Sequence, residues 1–412
     1  MIHSTKEKTN FFADISRMRH YQVVIVGGGA AGVSVAARLC RILEFGSVAV
    51  VEPSTVHHYQ PLWTLVGGGI YPREFSERRE ASVIPEKAEW LHETVAGIDP
   101  KKNEVFVQSG LRLRYDYLVV CPGMQLDWEK IEGLKGNIGK FGICSNYSYE
   151  TVQHTWPTIE GFKSGKALFT HPKTPIKCGG APQKIMYLAE STFRDRAIRQ
   201  KAEIHFVSGM ADSFTAPHYA KVLDQVMRDR GITAHYHRNL MAIRPEERIA
   251  VFERLDRPGE YEEFDYTLLH VTPPMSAPDF IKQSRLANDA GWVDVDKHTL
   301  QHSTYPNVFS LGDASSLPTS KTAAAIRRQA PVLVENLLSV IKRKEPHVHY
   351  DGYTSCPIVT DYGKLILAEF AYDKNPCETF PFDQSKERLS MYLLKKHVLP
   401  PLYWHGMLKG RV

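Results

Sequence analysis

Two of the six cysteines in this 412-residue chain sit where redox chemistry, rather than packing, accounts for them. Cys178 falls in Pro175-Ile-Lys-Cys-Gly-Gly-Ala-Pro182, between a strand and a helix. The helix N-terminus and the adjacent Lys177 both favour a thiolate there, and the thiolate is the reactive form of cysteine. Cys356 falls in Thr354-Ser-Cys-Pro357, a turn-like segment with no comparable electrostatic help. The two are 178 positions apart, so spacing alone leaves open whether they meet. Cys40, Cys121 and Cys144 read as small core residues. No pair has the CxxC spacing of a zinc ribbon or a thioredoxin-type motif. The His235/His237 and His347/His349 pairs read as exposed polar residues, so no metal site is expected.

The second constellation is Gly27-Gly-Gly-Ala-Ala-Gly32. Gly27 allows a tight turn, Gly29 lets backbone approach a pyrophosphate, and Gly32 lets helix and strand pack closely. Amides around Ala30 and Ala31 open a helix, where unpaired N–H groups favour phosphate. Glu52 follows Gly32 by twenty residues, the position that accepts ribose hydroxyls and disfavours a 2′-phosphate. Further on, Val-Phe-Ser-Leu-Gly312-Asp313 ends a buried strand in a carboxylate suited to a ribitol hydroxyl, which makes FAD the expected dinucleotide. Lys321, read as lying in the first turn of the next helix, suits a flavin that is anionic when reduced. No cysteine or histidine lies in either glycine turn, so the FAD is expected to be noncovalent.

The elements that position these groups follow from patterning. Tyr21–Val26 is a continuous apolar run, as in a parallel strand buried on both faces. A helix to about Leu43 and a strand over Ser47–Glu52 complete a βαβ unit. Strands are also expected over Tyr115–Cys121, Gly165–Thr170 and Asn307–Leu311, with helices over about Ala181–Arg194 and Thr319–Arg343, the latter bent at Pro331. The fold class is therefore α/β, with two Rossmann-like domains and a C-terminal region. The divisions expected are an FAD domain over 20–140 and 280–345, a second Rossmann-like domain over 141–279 carrying Cys178, and a C-terminal region over 346–412 carrying Cys356. The second domain lacks a glycine fingerprint: Gly165–Thr170 runs into the cysteine loop instead. That argues against a nicotinamide-dependent flavoprotein.

Composition narrows the class. The apolar fraction is 43%, the charged fraction 24% and the net charge +5, with no run of five like charges, so nucleic acid is not an expected partner. No stretch of 18 apolar residues could span a bilayer. Residues 1–19 carry Lys6, Lys8, Arg17 and Arg19 against Glu7 and Asp14, which allows either a presequence or a polar terminus. Residues 385–412 mix apolar, aromatic and basic groups, as an interfacial membrane segment does.

Taken together, Gly27–Gly32, Tyr59-Gln-Pro-Leu-Trp-Thr64, Cys178-Gly-Gly-Ala-Pro182, Gly312-Asp313, Ser320-Lys-Thr322, Tyr353-Thr-Ser-Cys-Pro357 and Phe380-Pro-Phe-Asp-Gln-Ser-Lys386 resemble the sulfide:quinone oxidoreductases, in their mitochondrial animal-like branch. The resemblance runs from about residue 20 onward, and the two cysteine segments are its most specific part. It implies that Cys178 and Cys356 form a redox-active disulfide beside FAD. By position it implies FAD contacts at Glu52, Gln60, Val95, Asp313 and Lys321. It also implies oxidation of hydrogen sulfide through a persulfide, ubiquinone as electron acceptor, and glutathione or sulfite as sulfur acceptor. The implied location is the matrix face of the mitochondrial inner membrane, held peripherally or monotopically. Arg327 and Arg328 depart from the small residues usual at their positions, which bears on the quinone site. The alternatives are the flavin subunit of a sulfide dehydrogenase and a catalytically silent, membrane-attached flavoprotein.

Overall fold

The computed structural model describes residues 18–412. All but the last two residues of the presequence candidate lie outside the described residues; Met18 and Arg19 open the first strand. Along the chain come β1 (Met18–Val26), α1 (Ala30–Leu39), β2 (Val48–Val51), β3 (Glu89–Leu91), β4 (Val95–Asp99), β5 (Glu104–Val107) and β6 (Arg112–Val120). Then follow β7 (Ile143–Cys144), β8 (Gly165–His171), α2 (Ala181–Asp195), β9 (Ala202–Ser208), α3 (Pro217–Asp229), β10 (Ile232–His235) and β11 (Leu268–His270). Finally come β12 (Val308–Ser310), α4 (Ala323–Ile341), β13 (Thr354–Asp361) and β14 (Lys364–Phe370).

The first sheet runs β3-β2-β1-β6-β5-β4, with β12 also pairing to β6. The strands β3, β2, β1, β6 and β12 are parallel. Register puts Val26 beside Val51 and Val120, and Val120 beside Ser310. The glycine turn, Glu52, Cys121 and Gly312-Asp313 therefore leave the sheet at one edge. That is where an open α/β sheet binds ligands. Val23–Val26 and Val48–Val51 are fully buried, as strands covered on both faces require. The second sheet, β7-β11-β8-β9-β10, is parallel throughout, and α2 packs on it with nearly every side chain buried.

Two helices differ from their expected limits. Helix α1 ends at Leu39, with Cys40 as its C-cap, the Cys40 N–H still donating to the Ala36 carbonyl. Helix α4 starts at Ala323, because the Thr322 side chain accepts a hydrogen bond from Ala325 N and caps it, and it runs unbroken through Pro331. Lys321 consequently precedes the helix instead of occupying its first turn.

The β13–β14 hairpin joins the two cores. Cys356 and Ile358 pack with α2 side chains such as Ile185 and Met186, while Tyr353, Val359 and Leu367 belong to the core of the first sheet. Beyond it, short helical turns run from Leu389 to Met407.

Candidate functional site

A cavity of about 330 Å³ opens at the edge of the first sheet, lined by residues that include Gly29, Ala30, Ala31, Glu52, Asp313 and Lys321. A Cβ on Gly32 would lie 1.8 Å from the Gly27 carbonyl oxygen, so only glycine lets the helix start so close to the turn. A Cβ on Gly29 would meet nothing within 4 Å, which leaves backbone open to the cavity. The Glu52 carboxylate accepts hydrogen bonds from Gly28 N at 2.7 Å and Ser54 N at 2.8 Å. Burial pushes its pKa up, partly opposed by those two amides. Asp313 is raised for the same reason. Several buried polar atoms of the lining have no protein partner: both amide atoms of Asn146, Tyr147 Oη and Glu80 Oε1. A wall with unsatisfied donors and acceptors, glycines open to it, and carboxylates on strand ends fits FAD.

Gln60 and Lys177 also line this cavity and bond each other, Lys177 Nζ donating to Gln60 Oε1 at 2.8 Å. Lys321 Nζ donates to the Asp313 and Ser315 carbonyls at 2.7 and 3.0 Å, and lies 4.2 Å above the Trp292 ring. Burial lowers both lysines to about 8. Val95, on β4, is not among the lining residues. A further chain of groups escaped sequence reasoning. Tyr403 Oη lies 2.6 Å from His57 Nε2, and His57 Nδ1 lies 3.2 Å from Glu80 Oε2; all three line the cavity. The C-terminal segment thus helps close the dinucleotide site.

The structure brings the two cysteines together. Cys178 Sγ and Cys356 Sγ stand 3.5 Å apart as a thiol pair. The cysteine loop is held against the start of α4 by Cys178 N donating to the Lys321 carbonyl at 2.9 Å. Cys178 takes φ +56°, a strained conformation for a non-glycine residue. Gly180 leaves room for Cys356, since a Cβ there would lie 2.7 Å from its Sγ. The Cys178 thiol is held well below its usual range, first by the hydrogen bond from Cys356 and then by the Lys184 ammonium. Cys356 is pushed well above, by its hydrogen bond to Cys178 and by burial.

Lys177 is not the thiolate's partner, contrary to the sequence reading. Lys184 is: its Nζ donates to Cys178 Sγ at 3.0 Å. Residue 177 points to the dinucleotide cavity, whereas residue 184, one turn into α2, projects back toward the helix N-terminus, as helical side chains do. The available signal was a lysine on the buried face of a packed helix, at 3% exposure.

A second cavity of about 290 Å³ is lined by Cys178 and Lys184 and by apolar side chains that include Leu394, Leu399 and Leu402. Lys395 also lines it; burial, and then Lys184, lower it to about 7. Arg327 faces this cavity, and the Arg328 guanidinium lies 5.2 Å above the Tyr353 ring.

Comparison with known proteins agrees with this architecture. Residues 21–155 match the pyridine nucleotide-disulphide oxidoreductase family. The chain is 51% identical over 391 residues to the mitochondrial sulfide:quinone oxidoreductase of Mus musculus, covering 95% of this chain and 87% of that protein. It is 49% identical over 393 residues to the Dictyostelium discoideum counterpart, covering 95% and 86%. The crystal structure of the sulfide:quinone oxidoreductase from Aquifex aeolicus superimposes with a TM-score of 0.78, covering 95% of this chain and 92% of that one; at 19% identity this is a likeness of fold.

Proposed function

This chain belongs to the sulfide:quinone oxidoreductases, FAD-dependent enzymes that oxidise sulfide and reduce quinone, and we propose how its own residues divide that work. The observation that carries the reading is the Cys178–Cys356 pair at 3.5 Å, with a lysine 3.0 Å from one member, beside a dinucleotide cavity. In the oxidised enzyme the pair is a disulfide. Hydrosulfide attacks Cys356 Sγ, forming a new S–S bond while the Cys178–Cys356 bond breaks. Cys178 leaves as the thiolate that Lys184 stabilises, in keeping with the preference for a low-pKa leaving thiol. Cys356 keeps the persulfide until its outer sulfur passes to a small nucleophile such as glutathione or sulfite.

Glu52, Gln60, Asp313, Lys321 and the amides of Gly28 to Ala31 would hold FAD. When bound, FAD supplies the two-electron acceptor for disulfide re-formation and hands those electrons to quinone. The second, apolar cavity takes the quinone. Anaerobic addition of sulfide is expected to bleach the flavin, and neither NADH nor NADPH is expected to do so. A flavin that stays oxidised through excess sulfide would overturn this reading in favour of a silent flavoprotein.

No helix among the described residues is long and apolar enough to cross a membrane. The C-terminal segment has two faces. Tyr403, Trp404, Met407 and Leu408 turn inward and are buried. Leu389, Leu393 and Val398 are 59, 44 and 52% exposed. Phe75 joins them at 58%, because it stacks on Tyr71, whose hydroxyl donates to the Lys396 carbonyl. Exposed apolar side chains in a segment that also carries Lys386, Arg388 and Lys396 suit peripheral attachment to a membrane, here the matrix face of the mitochondrial inner membrane. Leu393→Glu with Val398→Glu is expected to weaken liposome binding about tenfold or more, while sulfide still bleaches the flavin. Unchanged liposome binding would refute this attachment.

A further inference from the structure

The β13–β14 hairpin presents different chemistry on its two faces. Cys356 pairs with Ala368 across the ladder and Ser355 with Glu369. Because successive side chains leave opposite faces, the face that sends Cys356 to Cys178 cannot also carry Tyr353, Ser355 and Glu369. Those three line the apolar cavity instead.

Glu369 is 3% exposed, a costly place for a carboxylate without partners. It has four. Oε1 accepts from the Tyr353 hydroxyl and, at 3.1 Å, from the Thr379 hydroxyl. Oε2 accepts from Thr379 N at 2.7 Å and Gln384 Nε2 at 2.8 Å. Tyr353 is buried, whereas Thr379 is exposed. One carboxylate oxygen therefore joins a hydroxyl in contact with solvent to a hydroxyl on the cavity wall.

Reducing a quinone to a quinol takes two electrons and two protons. Reduced FAD, when bound, would supply the electron pair together with one of the protons; the other must reach a quinone seated among mostly apolar side chains. We propose that Tyr353 donates a proton to the bound quinone and that Glu369, reached from solvent through Thr379, reprotonates it. The Tyr353 O–H bond breaks as the quinol O–H bond forms. Once Tyr353 is a phenolate, the Glu369 carboxylate takes a proton from water by way of the Thr379 hydroxyl and passes it to the phenolate oxygen, so that the phenol is restored and the carboxylate regenerated.

The other polar wall groups are less suited. Arg327 offers a guanidinium, which has donors but no acceptor atom through which a proton could be relayed. Lys395 is buried and donates to the Pro61 carbonyl at 3.2 Å, with no hydrogen bond leading outward among the described residues. Burial and the hydrogen bond to Glu369 push Tyr353 up to about 12, which keeps its proton in place until the quinone needs it.

This proposal rests on the apolar cavity being the quinone site, and the test separates the two. Enzyme reduced anaerobically with sulfide is mixed in stopped flow with a short-chain ubiquinone, and separately with ferricyanide, which accepts electrons without protons. Tyr353→Phe is expected to cut the limiting rate of reoxidation by the quinone about a hundredfold, the scale of general acid catalysis. The half-saturating quinone concentration, the ferricyanide rate and the rate of reduction by sulfide should not change. The solvent deuterium effect on the quinone step should grow in Thr379→Val, where the hydroxyl link to water is lost. Wild-type limiting rates in both Tyr353→Phe and Glu369→Gln would overturn the proposal, as would a Tyr353→Phe protein altered only in half-saturating concentration. Leu399→Trp, which fills the cavity, tests the site itself. If it leaves quinone kinetics untouched, the cavity reading fails; if it impairs them while Tyr353→Phe does not, only the proton route fails.

Discussion

Replacing either Cys178 or Cys356 with serine is expected to lower sulfide-driven quinone reduction on the order of a thousandfold or more, and the double replacement should cost no more than either alone, because the two sulfurs act as one unit. Neither cysteine can form the disulfide without its partner 3.5 Å away. The variants should still differ spectroscopically. With Cys356→Ser, a serine hydroxyl can replace the hydrogen bond from Cys356, and Lys184 still lies 3.0 Å from Cys178 Sγ. Cys178 should then be a thiolate at moderate pH, and a thiolate against oxidised flavin absorbs at long wavelength without sulfide. With Cys178→Ser that absorbance should be missing near neutral pH, since burial still opposes ionisation of the Cys356 thiol. Absorbance in Cys178→Ser and none in Cys356→Ser would reverse the assigned roles. Normal turnover in both would end the disulfide mechanism.

Which parts were legible in the sequence follows from how local each signal is. The glycine turn, Glu52 and Asp313 were readable because each lies at a strand end within a short run, and parallel pairing does the rest. Register alone carries Val26, Val51, Val120 and Ser310 to one edge. The meeting of Cys178 with Cys356 was not readable from spacing, since it depends on the hairpin packing against α2; only the resemblance implied it. Lys177 is adjacent in sequence, but its side chain leaves the loop toward the dinucleotide cavity, while a helix brings residue 184 back over its own N-terminus. Lys321 was misplaced because Thr322, an ordinary cap, was read as part of the helix. Composition does not reveal which face of the aromatic C-terminus turns inward. Tyr403 and Trp404 pack inward on Tyr59 and His57 while Leu393 and Val398 stay out. Glu369 did leave a mark, a lone acid in the apolar run Leu365-Ile-Leu-Ala-Glu-Phe370. Only the ladder shows which face it takes.

Lys184→Met should expose the electrostatic design of the sulfide half-reaction. Methionine has a similar length and needs no buried partner, so the packed face of α2 should tolerate it. What disappears is the ammonium 3.0 Å from Cys178 Sγ. In the folded protein Cys178 is lowered by the hydrogen bond from Cys356 and by Lys184, so removing Lys184 raises its pKa. At any pH well below the original value the thiolate fraction falls tenfold for each unit of rise. A hydrogen bond to a charged group contributes about 1.5–3 kcal/mol, and one pKa unit corresponds to about 1.4 kcal/mol, so a rise of about one to two units is expected. Cysteine alkylation at position 178, followed by mass spectrometry across pH in the Cys356→Ser background, reads this directly: the profile should move to higher pH when Lys184→Met is added. Turnover of the single Lys184→Met enzyme should fall about 10- to 100-fold near neutrality, by the same 1.5–3 kcal/mol, and recover in part as pH rises and the departing thiol ionises unaided. Lys184→Arg, which keeps a charged donor, should restore much of both. Superimposable alkylation profiles with and without Lys184 would show that burial and Cys356 alone set the reactivity of Cys178.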